Sequence, residues 1–494
     1  MLKKIFESTF IMGTSSIAVM LLDLVRVKIL AVLLGPQGVG VLSVLNHFHT
    51  LAATLVGLGL GTGITKYVAS LKSEGNTIAV QKVLSNSFQI VFIFSSIVLA
   101  ASVFFSSRLS TWMLGESGFA IFIIIYALSL PLAVYPTTMN SFLQGLKRIN
   151  SLAKINVLRT SISLVFIIPM VFFFRLKGAV ISVLVITVVH LLLAAYYLSK
   201  ENHPYGVIHW QSFDPGLLKK LFQYGGTSLL VGTAYYLSHL LLKLIIVDSL
   251  GLEMNGIYQP IWALTMTYLT LVLSSMSAYA YPRLCELANI RDITEELNGI
   301  LRIAFLLITP VMFLLLLARK PVIYILYSSN FLPATEYMPI QILGDFFKIL
   351  FWATGMYLLP TKRLLGFIWL NLLQDTLLVV LANTLVTRYQ LHGIALSFAL
   401  SYFIAFLALY IYSKNQIGFS LWTMNRKLLS ASFGTLLAII LCEKYLSFWP
   451  FIAVVCLAIF VWSVVSIRKE EVLQLKGYLS GKFKRSGLSE GNLL

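Results

Sequence analysis

The sequence predicts an all-α polytopic membrane protein of about fourteen transmembrane helices. These form two parallel six-helix repeats around a central cavity, with two more helices appended at the C-terminal side. Three observations carry this expectation. Of 494 residues, 58% are hydrophobic and only 11% charged, against about 25% charged in a soluble domain. Apolar runs of about 18 residues or more recur from end to end, each long enough for about 30 Å of hydrocarbon. A single offset of 215–216 residues relates landmarks in the two halves.

Runs bounded by Gly, Pro or charge place the spans at about 8–34, 41–70, 79–106, 119–143, 151–174, 178–199, 217–250, 254–282, 297–318, 336–360, 364–387, 392–413, 428–446 and 449–467. Several exceed the crossing length, so tilt is expected. The start, Met1-Leu-Lys-Lys, resembles a signal peptide, but the apolar run continues to Leu34 with no small-residue cleavage site, which predicts a retained helix. The organisation is then a first half (1–200), a polar linker (201–216), a second half (217–414), two appended helices (428–467) and a basic tail (468–494). In the tail, Val472, Leu473, Leu475 and Leu479 fall at helical spacing, as in a helix lying on anionic lipid.

Net charge is +18, and its distribution argues against nucleic acid as a partner. With the N-terminus in the cytoplasm, connections and span ends place 26 Lys and Arg on the inner side and 7 on the outer, so both termini are expected inside. Four basic residues, Arg26, Lys28, Lys243 and Lys348, fall within spans. Cys285, Cys442 and Cys456 are too dispersed for a disulfide framework or a metal motif.

The repeat is read from four landmarks. Gly35-Pro-Gln-Gly-Val-Gly40 is matched by Gly251-Leu-Glu-Met-Asn-Gly256, Lys147-Arg148 by Lys362-Arg363, Asn156 by Asn371, and Gly178-Ala-Val-Ile-Ser182 by Gly393-Ile-Ala-Leu-Ser397. Six spans per half is an even number, so the halves share one orientation. Transporters built this way place their substrate at the midplane between the halves and alternate access by rocking.

The stretch from Lys28 through Gly35-Pro-Gln-Gly-Val-Gly40, followed by Gly57-Leu-Gly-Leu-Gly-Thr-Gly63-Ile-Thr-Lys66, resembles the bacterial polysaccharide flippases of the O-antigen translocase type. Their superfamily also holds the multidrug and toxin extrusion transporters. The resemblance implies a carrier of undecaprenyl-diphosphate-linked oligosaccharide, working from the inner to the outer leaflet of the bacterial inner membrane. It also implies membrane lipids and polysaccharide polymerase or chain-length machinery as partners. The two appended helices resemble the fourteen-helix members, among them the peptidoglycan-precursor flippases, so that cargo stays open as an alternative.

A diphosphate cargo calls for cations facing a wet cavity, and an intramembrane charge is costly enough to be a functional candidate by default. Asp23 and Arg26 in span 1 lie about 60° apart and can pair. Lys28, about 160° from Arg26, either joins the cavity or snorkels to the interface. Lys243 in span 7 matches Val27 in the repeat, so each half contributes a cation at similar depth, and His239 shares its face. Asn46, His47 and His49 in span 2 are candidates for sugar or phosphate hydrogen bonds, with packing as the alternative. Asp345 and Lys348 in span 10 read as an internal ion pair or, with Asp23 and Asp375, as ion-coupling candidates; Asn371, Gln374 and Asp375 form one polar face. The glycines at 57, 59, 61 and 63 fit close helix packing and not a dinucleotide motif.

No P-loop, zinc motif or Asp-x-Asp pair occurs, so no cofactor and no enzymatic activity are expected, and the driving force is the membrane potential or an H⁺ or Na⁺ gradient. The sequence disfavours two other functions. A cation-coupled drug exporter of the same superfamily is disfavoured because basic residues outnumber acidic ones inside the spans. A membrane enzyme is disfavoured because the outer connections are short.

Overall fold

The computed structural model describes residues 2–200, 214–445 and 448–466; most of the linker and the basic tail expected from sequence lie outside them. The described residues form α1 (Leu2–Gly57), α2 (Leu60–Ser73), α3 (Thr77–Phe104), α4 (Ser106–Leu114), α5 (Ala120–Gly145), α6 (Ile149–Ser199), α7 (Pro215–Glu286), α8 (Ile290–Leu317), α9 (Arg319–Leu326), α10 (Met338–Gly355), α11 (Leu364–Ile417), α12 (Thr423–Tyr445) and α13 (Phe448–Ser466), with two short 3₁₀ turns.

Four of the helices are broken internally. Gly35 (φ 65°, ψ −175°) divides α1 and Gly251 (φ 88°, ψ 169°) divides α7; Arg175 (φ 51°, ψ −129°) divides α6 and Gln390 (φ 50°, ψ −133°) divides α11. Counting each arm separately gives fourteen arms of 18 residues or more among the described residues, the number expected from sequence. The breaks themselves recur at offsets of 216 and 215, so the repeat is a property of the backbone.

Glycines permit the reversals. A Cβ on Gly178 would lie 1.9 Å from the Met170 carbonyl oxygen, and one on Gly393 would lie 2.3 Å from that of Leu385. Each pair brackets a break, so the two arms fold back as a tight hairpin that excludes any side chain there. The Lys-Arg turns have an equally specific cause. Lys147 (φ 62°) and Lys362 (φ 59°) are left-handed residues that end helical segments. Lys147 N donates to Gln144 O and Arg148 N to Leu143 O (both 2.9 Å); Lys362 N donates to Leu359 O (3.0 Å) and Arg363 N to Leu358 O (2.8 Å). This is the Schellman pattern, in which glycine is the unstrained choice. Lys147→Gly and Lys362→Gly are each expected to stabilise the fold by about 1 kcal/mol, measured as slower loss of monodisperse protein on heating in detergent.

Among the described residues, seven helices are long and apolar enough to cross a membrane. The outward faces are apolar: Phe172, Phe173 and Phe174 are 60%, 72% and 64% exposed. Such a surface suits lipid rather than water, and the protein is a multi-pass membrane protein.

The described residues pack into two compact units. The first takes those up to Ala263, with Lys320–Tyr337 and Leu364–Ser401. The second takes Leu264–Arg319, Met338–Arg363 and those from Tyr402 onward. Packing thus groups the chain differently from the two repeats.

In the first unit, α1 and α7 cross at repeat-related glycines. A Cβ on Gly256 would lie 1.8 Å from the Pro36 carbonyl oxygen, and one on Gly40 would lie 2.0 Å from that of Leu252. Since Pro36 and Leu252 are also 216 apart, the contact is reciprocal. Asn255 Nδ2 closes it, donating to Gly40 O (2.9 Å) and Ser43 Oγ (2.8 Å). The glycine run beyond α1 packs closely as well, with Gly59 and Gly225 backbone to backbone and Gly63 against Leu221.

In the second unit, the α12–α13 hairpin is fastened to α8. Buried Arg302 donates to Ser466 O (2.9 Å) at the end of α13, where a cation favours the helix dipole. Asn425 Nδ2 donates to Asn298 O (2.9 Å) and Oδ1 (3.0 Å).

Candidate functional site: a donor-lined cavity and a buried lysine

The first unit contains a cavity of about 270 Å³ built by α1, α5 and α6. Arg26 enters from the first arm of α1, Asn46 and His49 from its second arm one turn apart, and Arg159 from the first arm of α6. Arg26 pairs with Asp23 at 3.5 Å, while its Nε is buried without a hydrogen bond. The Arg159 guanidinium makes no hydrogen bond or ion pair among the described residues. No carboxylate lines the cavity.

The surrounding polar groups are oriented by their own bonds. Tyr126 OH donates to Asn46 Oδ1 (3.1 Å), which leaves the Asn46 amide nitrogen as a donor. Ser129 Oγ donates to Tyr126 O (2.7 Å) and lies 2.9 Å from His49 Nε2, so the imidazole donates to the hydroxyl. Asn140 Nδ2 donates to His190 Nε2 (3.1 Å). Ser182 and Thr187 spend their hydroxyl protons on carbonyls of their own helix. The available donors are therefore the Arg159 guanidinium, the Nε edge of Arg26 that Asp23 does not engage, and one amide, a set suited to phosphate or saccharide oxygens.

The same unit holds a second cationic cluster. Lys243 on the first arm of α7 is 2% exposed, and its Nζ donates to Gln259 Oε1 (2.8 Å). It stands 5.6 Å from the Trp262 ring centroid, a cation–π distance. The Trp262 ring is 4.8 Å from His47 and 6.2 Å from His239. Among the described residues, no carboxylate bonds to this ammonium. Nearby in sequence, Ser238 Oγ donates to Asp375 Oδ1 (2.8 Å).

The sequence-selected residues thus divide. Arg26, Asp23, Asn46 and His49 gather at the α1–α5–α6 cavity, and Lys243, His47 and His239 gather around Trp262. Lys28 leaves both, donating to Tyr324 O (2.8 Å) with its ammonium 5.6 Å from that ring. In the second unit, buried Asp345 accepts through Oδ2 from Tyr268 OH (2.5 Å) and Thr265 Oγ1 (3.1 Å), while Oδ1 is buried without a hydrogen bond. Lys348 reaches Met266 Sδ (3.7 Å) and the Tyr402 ring (5.5 Å). Sequence reasoning missed Arg159, Gln259 and Trp262. Arg159 carried a signal, lying inside the apolar run 151–174, but was counted with the adjacent basic turn.

Known proteins match this frame. A lipid III flippase of Escherichia coli (strain K12) is 24% identical over 387 residues, 77% of this chain and 91% of its own. An inward-facing multidrug resistance MATE family transporter of the MOP superfamily superposes with a TM-score of 0.71 at 17% identity, covering 81% of this chain and 94% of its own. The lipid II flippase MurJ, in an inward closed conformation, gives a TM-score of 0.64 at 15% identity over 93% of this chain and 98% of its own. At such identities the two structures attest a shared fold. The polysaccharide biosynthesis protein family matches residues 5–288, more than half of the 494, and the chain belongs to that family.

Proposed function

We propose that this protein is a flippase that moves undecaprenyl-diphosphate-linked oligosaccharide, an O-antigen or related repeat unit, across the bacterial inner membrane by alternating access. The observation that carries the reading is the polar interior of the first unit, where basic groups outnumber acidic ones: two guanidiniums at one cavity, offset by Asp23 alone beside Arg26, and a buried lysine to which no carboxylate bonds among the described residues. The lipid III flippase relative, matched over 91% of its own length, supports a lipid-linked saccharide as cargo. In this reading Arg26, Arg159 and Lys243 bind the diphosphate, and Asn46, His49, His47 and His239 meet sugar or phosphate oxygens. It makes the protein a transporter and not an enzyme. Both termini lie in the cytoplasm, on the strength of the 26-to-7 bias in Lys and Arg.

A diphosphate diester carries about two negative charges, so an inside-negative potential of 100 mV supplies about 4–5 kcal/mol for outward movement. Asp345, buried with one unpaired carboxylate oxygen, is the better candidate for H⁺ or Na⁺ coupling, because Asp23 already pairs with Arg26. A peptidoglycan-precursor cargo is the second reading, favoured by the fourteen helical arms and by the lipid II flippase fold covering 93% of this chain. The test is translocation in proteoliposomes carrying either labelled undecaprenyl-diphosphate oligosaccharide or labelled peptidoglycan precursor. Transport of the first alone supports the proposal, transport of the second alone supports the alternative, and transport of neither under an imposed potential removes both.

A further inference from the structure

The second unit carries a groove unrelated to the cationic cavity. It lies between the second arm of α7 and α8 and encloses about 810 Å³, within the range of about 300–1,000 Å³ typical of ligand sites. One end is apolar: Leu271, Ile303 and Leu307 line it and are 51%, 52% and 53% exposed. The other end is charged, with Arg283, Asp292, Glu295 and Glu296. The twelve residues from Leu271 to Arg283 set these ends about 18 Å apart along the helix, the reach of an extended acyl chain. Gly299 on the α8 wall has nothing within 4 Å of where its Cβ would be, so the groove is open there.

The charges at the rim are unbalanced. Arg283 lies 3.4 Å from Glu286 and 3.8 Å from Glu296, so one guanidinium serves two carboxylates. Glu295 pairs with the exposed Arg291 at 3.4 Å. Asp292 accepts only from the neutral Asn289 amide (3.2 Å). Two cations against four carboxylates give the rim a net charge of −2. An anionic headgroup is repelled there. A headgroup with a free ammonium meets Asp292, Glu295 and Glu296, while its phosphate meets Arg283.

We infer that this groove binds a zwitterionic membrane phospholipid with a primary ammonium headgroup, one acyl chain lying along Leu271, Ile303 and Leu307. Charge complementarity at the rim and apolar length behind it select this occupant over an anionic phospholipid.

The test is native mass spectrometry of the full-length protein in detergent, titrated with phosphatidylethanolamine or with phosphatidylglycerol of the same acyl chains. Phosphatidylethanolamine is expected to bind about fivefold more tightly, the scale of one or two exposed ion pairs. The double variant Glu295→Gln, Glu296→Gln is expected to bring the two lipids to parity. Gly299→Leu, which fills open space, is expected to weaken both. Equal or tighter phosphatidylglycerol binding by the native protein, or an unchanged preference in the double variant, would overturn the inference. None of these readouts depends on what the protein transports.

Discussion

Arg26→Ala and Arg159→Ala are each expected to slow translocation of a diphosphate-linked oligosaccharide by about 10- to 100-fold, with folding preserved. A hydrogen bond to a charged group contributes about 1.5–3 kcal/mol, and about 1.4 kcal/mol is tenfold in rate. Neither substitution strands a buried charge. Asp23, the partner of Arg26, has a side chain 46% exposed and is not enclosed by protein, and Arg159 has no hydrogen-bonded partner to lose. Arg26→Lys is expected to recover only part of the rate, since lysine supplies charge without the two-pronged fork that matches phosphate. The measurement is the initial flipping rate in proteoliposomes, with thermal stability measured in parallel. Native flipping by Arg159→Ala would make that arginine a bystander on the α6 flank.

Lys243→Met is expected to move stability and transport in opposite directions. The ammonium is 2% exposed, with one hydrogen bond to Gln259 and one aromatic face as its company. Replacing a buried charged group by an apolar one of similar volume is often neutral or stabilising by about 1–4 kcal/mol. Gln259 is half-buried, so losing its donor returns part of that gain. The variant should therefore resist heating at least as well as the native protein while flipping more slowly by about tenfold or more, the worth of one charge-assisted contact. A variant that melts earlier and flips normally would identify Lys243 as a structural residue.

Most of the fold was legible because its breaks are written in glycine. Gly35 and Gly251 mark one pair of turns and Gly178 and Gly393 another, and each stands where the backbone takes a positive φ or tolerates no Cβ. The residues at the breaks of α6 and α11 were not legible, because Arg175 and Gln390 adopt φ near 50° without being glycine. The candidate site was legible in part. Arg26 and Lys243 stand out as charges in apolar runs. His47 and His49 stand close in sequence, yet residues two apart on a helix are separated by about 160°, and they serve different clusters. Arg159 and Arg302 fall among the 26 inner-side charges because basic residues precede both, whereas α6 and α8 start early enough to carry them well into the helices. Setting these two aside changes the inner count from 26 to 24 against 7 and leaves the orientation argument intact.

The central claim is that cations in the first unit hold the linkage between lipid and glycan. The most direct measurement compares flipping, by the native protein and by Arg26→Ala, of three cargoes with the same lipid and glycan, joined by a diphosphate, a monophosphate or a neutral linkage. The expected result is a rate that falls at each loss of charge, with Arg26→Ala slowing the diphosphate cargo most and the neutral cargo least. A neutral cargo that crosses as fast as the diphosphate, with all three slowed equally by the substitution, would contradict it.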